Sequence, residues 1–400
     1  MRFLPRDRLF DGAEVDVVDH ILAAKSPSLS RLRKHMVVIL KATRLCNLRC
    51  TYCHSWRTGP NNIMPLDVLA RVTKDVLSDV GVSAVDFVWH GGEVTLLPLR
   101  YLEQALWIQQ QCGHPAIEIA NSIQTNATLL TREWISFLKK YRFSVGVSID
   151  GPPEAHDRRR LTTRGLGTSQ TVITSLGMLR DAGVSFGALG VIDECTLKRG
   201  PRAYLDYLVS IGISEVAILN ALPGNQPTAG GQSWFEWSRF VTFLRELLTV
   251  WWHDYRTDIN IRELASLLDA VSGGSTGLCI FNENCMGGYL TVEPDGDVSA
   301  CDKYVGDAAF IFGNIRRLPL GEMLNRSERL QQAKGSVDVA KALTSGCPNY
   351  WICKGGCPHD IRLRMIHGGE VHIECCGLSD LIQDMRDLLK IKEAIRGLHA

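Results

Sequence analysis

Across 400 residues, 44 Lys and Arg face 43 Asp and Glu, and the resulting net charge of +1 gives no electrostatic reason to expect nucleic acid as a partner. The 45% hydrophobic and 22% charged content is that of an ordinary globular chain large enough for two domains, and no apolar run reaches transmembrane length. The charged N-terminal stretch MRFLPRDRLFDGAEVDVVDH does not read as a signal peptide, so no membrane association and a cytoplasmic location are expected.

Residues 1–35 read as a helical N-terminal extension ending in the basic run Arg31-Leu32-Arg33-Lys34. A repeating pattern follows. β-Branched apolar runs at Met36–Ala42, Val85–Trp89, Ile117–Ile123, Ser144–Ile149, Val184–Val191 and Glu215–Leu219 predict strands. Helical apolar spacing between them covers Leu66–Val80, Leu99–Cys112, Arg132–Tyr141, Ser169–Ala182 and Arg202–Ile211. The alternation predicts an α/β fold, a partial (β/α)6 barrel over 36–254, with functional residues at the C-terminal ends of the strands. Residues 233–270 carry an aromatic stripe at helical spacing, read as core. Gly273-Gly274-Ser275-Thr276-Gly277 then breaks the pattern. A small cysteine-rich iron–sulfur C-terminal domain is expected over 255–380 and a C-terminal helix over 381–400.

Thirteen cysteines are many for a reducing compartment, where a disulfide framework is not expected. Eight lie between Cys279 and Cys376, a clustering that reads as metal ligation, whereas Cys112 and Cys195 read as buried and silent. Just past the first strand, Cys46-Asn-Leu-Arg-Cys50-Thr-Tyr-Cys53 packs three thiolates into eight residues. That set suits three corners of a cubane iron–sulfur cluster and leaves the fourth iron open to a chelating ligand. It also suits a zinc knuckle with His54 as fourth ligand. After the second strand, His90-Gly91-Gly92-Glu93 lets the backbone approach a ligand and expose its amide groups. Polar groups close the third and fourth strands, in Ser122-Ile-Gln-Thr-Asn126 and Ser148-Ile-Asp150-Gly151-Pro152. In the C-terminal region, Asp295-Gly296 between two alternating runs predicts a hairpin with Cys285 and Cys301 at its base. For these later cysteines, spacing alone leaves zinc and iron–sulfur clusters open.

The CxxxCxxC triplet, followed by Gly-Gly-Glu after the next strand, resembles the signature of the radical S-adenosylmethionine (SAM) enzymes. The order of the later cysteines, with Lys354-Gly-Gly-Cys357-Pro and Gly296-Asp-Val-Ser-Ala-Cys301-Asp302, resembles the SPASM domain of radical SAM maturases. The resemblance implies SAM and three 4Fe–4S clusters as cofactors. Cys46, Cys50 and Cys53 would hold the cluster that cleaves SAM. Tyr52, Gly91, Gly92, Glu93, Ser148, Arg160 and Val191 would contact SAM. The family usually has proline where this chain has Val94. Cys279, Cys285, Cys301 and Cys357 would hold one auxiliary cluster, and Cys347, Cys353 and Cys376, with Cys375 as the alternative, the other. The family usually has a further cysteine three residues before Cys347, where this chain has Thr344. Anaerobic sulfatase-maturating enzymes share the Cys301-Asp302 step, and in them the matching aspartate is the proposed base; Asp302 is accordingly the candidate catalytic residue here.

The function this resemblance favours is oxidative maturation of a ribosomally made peptide, with a side-chain crosslink as the specific expectation. Formylglycine formation by a sulfatase-maturating enzyme is the alternative, and dehydrogenation of a small molecule a second one. Expected partners are a peptide or protein substrate, reduced flavodoxin or ferredoxin as electron donor, and a separate leader-peptide-binding protein. Anaerobically purified protein should be brown and contain iron and acid-labile sulfide, and Cys46→Ala should abolish SAM cleavage. Zinc without iron, and no SAM cleavage by the reduced protein, would remove the radical reading.

Overall fold

The structure, a computed structural model, describes residues 5–24, 34–53, 55, 62–79, 81–222, 236–282, 285–367 and 375–398. The basic residues Arg31 and Arg33, His54, and Trp234 and Phe235 of the aromatic stripe lie outside the described residues. In chain order the strands are β1 (His35–Thr43), β2 (Ala84–Gly91), β3 (Glu118–Thr125), β4 (Ser144–Ser148), β5 (Phe186–Ile192), β6 (Glu215–Asn220), β7 (Asn260–Ile261), β8 (Tyr289–Val292), β9 (Asp297–Ser299) and β10 (Ile311–Asn314). The fold is mixed α/β with a parallel-strand sheet, as the alternation in the sequence predicts.

The chain forms two compact units. The first comprises Met1–Ser148, Leu161–Phe186 and Cys285–Lys334. Here β1 to β4 pair in parallel in sequence order. Parallel neighbours need long crossovers, and the helices Leu66–Leu77, Leu99–Cys112 and Arg132–Lys140 supply them. Leu66–Leu77 buries Val68, Leu69, Val72 and Val76 along one stripe. The helix Gly12–Ala23 starts on a capping box, in which Asp11 accepts from Glu14 N and Glu14 accepts from Asp11 N, each at 2.9 Å. Its far end is tied down by Lys74, whose Nζ donates to the carbonyls of Ile21 and Ala24.

The other edge of β1 is taken by β8, paired in parallel with Val37 opposite Tyr289 and Leu40 opposite Val292. With strands on both sides, β1 buries nearly every residue, among them Met36, Val38, Leu40 and Ala42. β8 turns back into β9 at the expected Asp295-Gly296 turn, where Gly296 has φ +95°, a conformation that favours glycine. β10 adds antiparallel to β9. Beyond β1, the Arg44 side chain is 3% exposed and its guanidinium pairs with Glu293, which follows β8; Nε donates to Oε2 at 2.7 Å.

The second unit comprises Ile149–Arg160, Gly187–Asn284 and Gly335–Ala400. In it β5, β6 and β7 pair in parallel. The helix expected over 202–211 begins earlier, at Glu194, with Asp193 as its cap. Gly200 at φ +81° splits it ahead of Pro201, whose ring and missing N–H do not fit an unbroken helix. The aromatic stripe is core, as read from its spacing: Phe240, Phe243, Leu244, Leu247, Leu248 and Trp251 are buried. Cys112 and Cys195 are half-buried rather than fully buried.

Removing Glu293 leaves Arg44 buried without its carboxylate. Glu293→Ala should cost about 3 kcal/mol and lower the thermal midpoint by several degrees, whereas Glu246→Ala, at an exposed helix position, should leave it unchanged.

Candidate active site

Cys46, Cys50 and Cys53 lie on the loop that leaves β1, at the C-terminal end of the strand. The loop is held from three directions. Arg49 N donates to Leu161 O at 2.7 Å, Asn47 Nδ2 to Thr128 Oγ1 at 2.8 Å, and Arg44 to Ser55 Oγ at 2.8 Å. Cys50 is buried, Cys46 and Cys53 half-buried, and Tyr52 lies half-buried between them. Burial pushes the Cys46 thiol up to about 12, and the charges of Glu93, Cys50 and Cys53 push the same way against the Leu48 N–H that points at its sulfur. Sulfurs so placed ionise together only beside a positive centre, which is what an iron cluster supplies. Among the described residues no three His, Cys, Asp or Glu side chains converge closely enough to hold one metal ion. A cubane spreads its thiolates over separate corners, and three cysteines on one loop, one buried and two half-buried, suit that arrangement.

The turn after β2 packs directly on this loop. A Cβ at Gly91 would run into the Thr43 carbonyl oxygen and one at Gly92 into that of Leu45. The sequence reading has the turn exposing its amides, and the structure corrects it. Gly91 N donates to His90 Nδ1 at 2.8 Å, Gly92 N to Thr43 O at 2.7 Å and Glu93 N to Leu45 O at 2.7 Å. An amino group needs acceptors, so carbonyl oxygens are the groups with which this turn can meet one. The Glu93 carboxylate is also spent inside the protein. It is 1% exposed and accepts from Thr95 N, Thr95 Oγ1, Thr125 Oγ1 and Asn126 N at 2.6 to 3.0 Å. Glu93 therefore braces the end of β3 against the turn. Ser148, closing β4, accepts from Gln124 Nε2 at 3.0 Å.

In the second unit, Arg160 donates to Asp150 Oδ1 at 3.0 Å, and Val191 N donates to the same oxygen at 3.0 Å. Burial pushes the Asp150 carboxyl up, but the Arg160 charge and hydrogen bond outweigh it and hold it below the ordinary range. Arg160, read as a SAM-carboxylate contact, thus has a buried carboxylate of its own chain as partner.

Asp302 follows β9 and sits in the first unit beside two residues of the barrel strands. Lys41 Nζ lies 3.2 Å from Asp302 Oδ2 and 3.1 Å from His90 Nδ1, and His90 Nε2 lies 4.0 Å from Asp302 Oδ2. Lys41 is 1% exposed, while Asp302 keeps 34% of its side-chain surface open. Burial pushes the Asp302 carboxyl up, but the Lys41 charge and the Lys41 hydrogen bond hold it well below the usual carboxylate range. Burial and the Lys41 charge push His90 down to about 4, against the pull of Asp302. The ring is therefore neutral near pH 7, with Lys41 and Gly91 N both directed at Nδ1 and the proton on Nε2. The result is an accessible, ionised carboxylate with a fixed cation behind it. Lys41 is absent from the sequence-based site; its signal is a lone lysine in the otherwise apolar run Met36–Ala42.

The cysteines of the C-terminal region divide between the units. In the first, Cys301 follows β9, and Cys285 lies shortly before β8, at the same end of the hairpin. In the second, Cys279 opens a short helical turn and Cys357 precedes the helix Pro358–Ile366. Cys347, Cys353, Cys375 and Cys376 lie in one neighbourhood, with Cys376 Sγ 3.3 Å from Cys353 Sγ.

Residues 40–196 match the Radical SAM superfamily, and residues 279–358 match SPASM, an iron–sulfur cluster-binding domain. A cysteine-type anaerobic sulfatase-maturating enzyme of Clostridium perfringens is 30% identical over 330 residues, 80% of this chain and 88% of that protein. A serine-type anaerobic sulfatase-maturating enzyme of Bacteroides thetaiotaomicron is 28% identical over 86% of this chain and 87% of its own. Among solved structures, native anSMEcpe with bound AdoMet and Cp18Cys peptide matches with TM-score 0.77 and 26% identity, over 90% of this chain and 99% of that one. Streptococcus suis SuiB bound to the precursor peptide SuiA shares the fold, with TM-score 0.58 and 16% identity over 87% of this chain and 76% of that one. These relatives overturn the preference for a peptide crosslink: the long, higher-identity matches are sulfatase-maturating enzymes, the alternative drawn from the sequence. No helix among the described residues is long and apolar enough to cross a membrane.

With the environment described, the His90 ring should titrate well below the ordinary histidine value of about 6.5. NMR of ring-labelled protein should show its signal unmoved between about pH 8 and pH 6, and Lys41→Met should raise the midpoint. A midpoint near 6.5 in the unaltered protein would contradict the arrangement.

Proposed function

Because the chain belongs to the radical SAM superfamily and, within it, to the family of the anaerobic sulfatase-maturating enzymes, we propose that it oxidises a cysteine or serine side chain of a peptide or protein substrate to formylglycine. The observation that carries this reading is the 30% identity to a cysteine-type enzyme, maintained over 80% of the chain and 88% of that relative. When bound, SAM and the iron–sulfur clusters supply the hydrogen-abstracting radical and an acceptor for the remaining electron. Cys46, Cys50 and Cys53 are the proposed ligands of the SAM-cleaving cluster. The other cysteines assigned from the sequence are proposed for two auxiliary clusters, and reduced flavodoxin or ferredoxin is the proposed donor.

The residues of this chain supply the proton chemistry. The substrate side chain loses a hydrogen atom from Cβ, then a proton from its thiol or hydroxyl and one electron; a serine thereby becomes the aldehyde directly, whereas a cysteine becomes a thioaldehyde that water converts to the aldehyde with release of hydrogen sulfide. Asp302 is the proposed proton acceptor: it is ionised, partly open, and one residue beyond a proposed cluster ligand. Lys41 keeps the carboxylate charged and fixes its orientation through the 3.2 Å contact. His90 Nε2, 4.0 Å from the carboxylate, is beyond hydrogen-bond reach of it, and its neutral ring carries the proton on that nitrogen and so does not compete for the substrate proton there. The glycine turn ties the end of β2, which carries His90, to the end of β1, which carries Lys41.

The test is anaerobic incubation of the reduced enzyme with SAM and two sulfatase active-site peptides, one with cysteine and one with serine at the modified position. An aldehyde captured by a hydrazine reagent and located by mass spectrometry is the expected product. Full SAM cleavage with no aldehyde in either peptide would defeat the proposal. Asp302→Asn should still cleave SAM while product formation falls at least a hundredfold, on the order of a lost general base.

A further inference from the structure

Thr344 occupies the place, three residues before Cys347, where the SPASM pattern has a cysteine. It cannot easily serve as a substitute ligand. The side chain is 4% exposed, and its hydroxyl donates to Lys341 O at 3.2 Å. Lys354, Gly355 and Gly356 all have positive φ, at 50°, 78° and 81°, and fold their loop onto it; a Cβ at Gly355 would come within 2.5 Å of Thr344 Oγ1. A neutral alcohol already committed to a carbonyl is a poor match for iron in a sulfide cluster, which selects soft thiolates.

Four thiols nonetheless form one continuous run in this unit. Cys353 Sγ meets Cys376 Sγ at 3.3 Å, and Cys375 directly precedes Cys376 in the chain. Cys375 Sγ lies 3.0 Å from Ser379 Oγ, and Cys347 Sγ lies 3.5 Å from the same hydroxyl. One oxygen therefore touches Cys375 and Cys347 from two sides, and Cys376 touches Cys353. The backbone of the pair is fixed: Trp237 Nε1 donates to Cys376 O at 2.8 Å, and Gly377 at φ +90° turns the chain away immediately afterwards. Thr344, Ile361, Arg364, Cys375 and Cys376 line one small pocket, with the Arg364 guanidinium beside Cys376. A thiolate-rich cluster carries net negative charge, and a neighbouring cation offsets it.

We propose that Cys375 and Cys376 both ligate the second auxiliary 4Fe–4S cluster, together with Cys347 and Cys353, so that the doubled cysteine supplies the thiolate that Thr344 lacks. The sequence reading assigns only one of the two, since adjacent thiolates rarely both reach one cubane. In the structure they diverge toward different members of the same set, Cys376 toward Cys353 and Cys375 toward the Ser379 hydroxyl that Cys347 shares. Insertion of the cluster spreads the Cys353–Cys376 pair to separate corners. The inference depends on the SPASM match and not on the formylglycine reading, and its test uses no turnover.

The experiment reconstitutes the full chain anaerobically with iron and sulfide, in a Cys46→Ala, Cys50→Ala, Cys53→Ala background that silences the SAM-cleaving cluster. Cys375→Ala and Cys376→Ala, made singly, should each lose about one iron per chain and show an oxidised 3Fe–4S signal by EPR, because a corner without thiolate sheds its iron. Adding Thr344→Cys to either single variant should restore the iron and remove that signal, which a merely misfolded protein would not do. Full iron with no 3Fe–4S signal in either single variant would overturn the proposal. So would a 3Fe–4S signal in the chain with both cysteines intact, or failure of Thr344→Cys to rescue either variant.

Discussion

A guanidinium buried just past the end of β1 must find a carboxylate, because an unpaired charge there would cost several kcal/mol. Arg44 finds it in Glu293, almost 250 residues later in the chain. That pairing and the β1–β8 ladder lock the hairpin to the barrel strand that launches the cysteine loop. The rest of the candidate site in this unit follows from the lock. β9 runs back beside β8, Asp302 emerges from it, and the carboxylate arrives against Lys41 and His90 rather than at some other strand end. The same Arg44 reaches Ser55, whose hydroxyl donates to Gly91 O at 2.9 Å. One side chain thus ties together the cysteine loop, the glycine turn and the hairpin.

The division of labour between neighbouring polar groups is set by who holds them. Glu93 has four donors and 1% exposure, so it works as structure. Asp302 has a cation behind it and an open face, so it is available for chemistry. Asp150 has Arg160 and the Val191 amide, so both members of that pair are engaged with each other. Three acidic residues of similar intrinsic character diverge through burial and partners alone.

Local signals carried most of what was legible in the sequence. The cysteine spacings, the glycine turn, the Asp295-Gly296 hairpin and the strand–helix alternation each depend on residues within a few positions of one another, and each is present in the structure. The misses are non-local. Pairing of β8 with β1 joins segments that nothing in the intervening sequence connects. Lys41 sits in an apolar strand, where composition conceals a charge whose partners come from β2 and from beyond β9. The glycine turn was located correctly and its chemistry inverted, since sequence cannot tell which backbone amides are already spent.

Asp302 comes one residue after Cys301, so their Cα atoms are about 3.8 Å apart across a single peptide. In the proposed oxidation that peptide keeps the group that takes the proton within a short reach of a ligand of the cluster that takes the electron. Substrates of different size or sequence can shift relative to the pair, but they cannot change its span. Departure of the two particles is therefore matched in geometry by the covalent chain itself, and selection for a new substrate must act on how the side chain is presented to this fixed gauge.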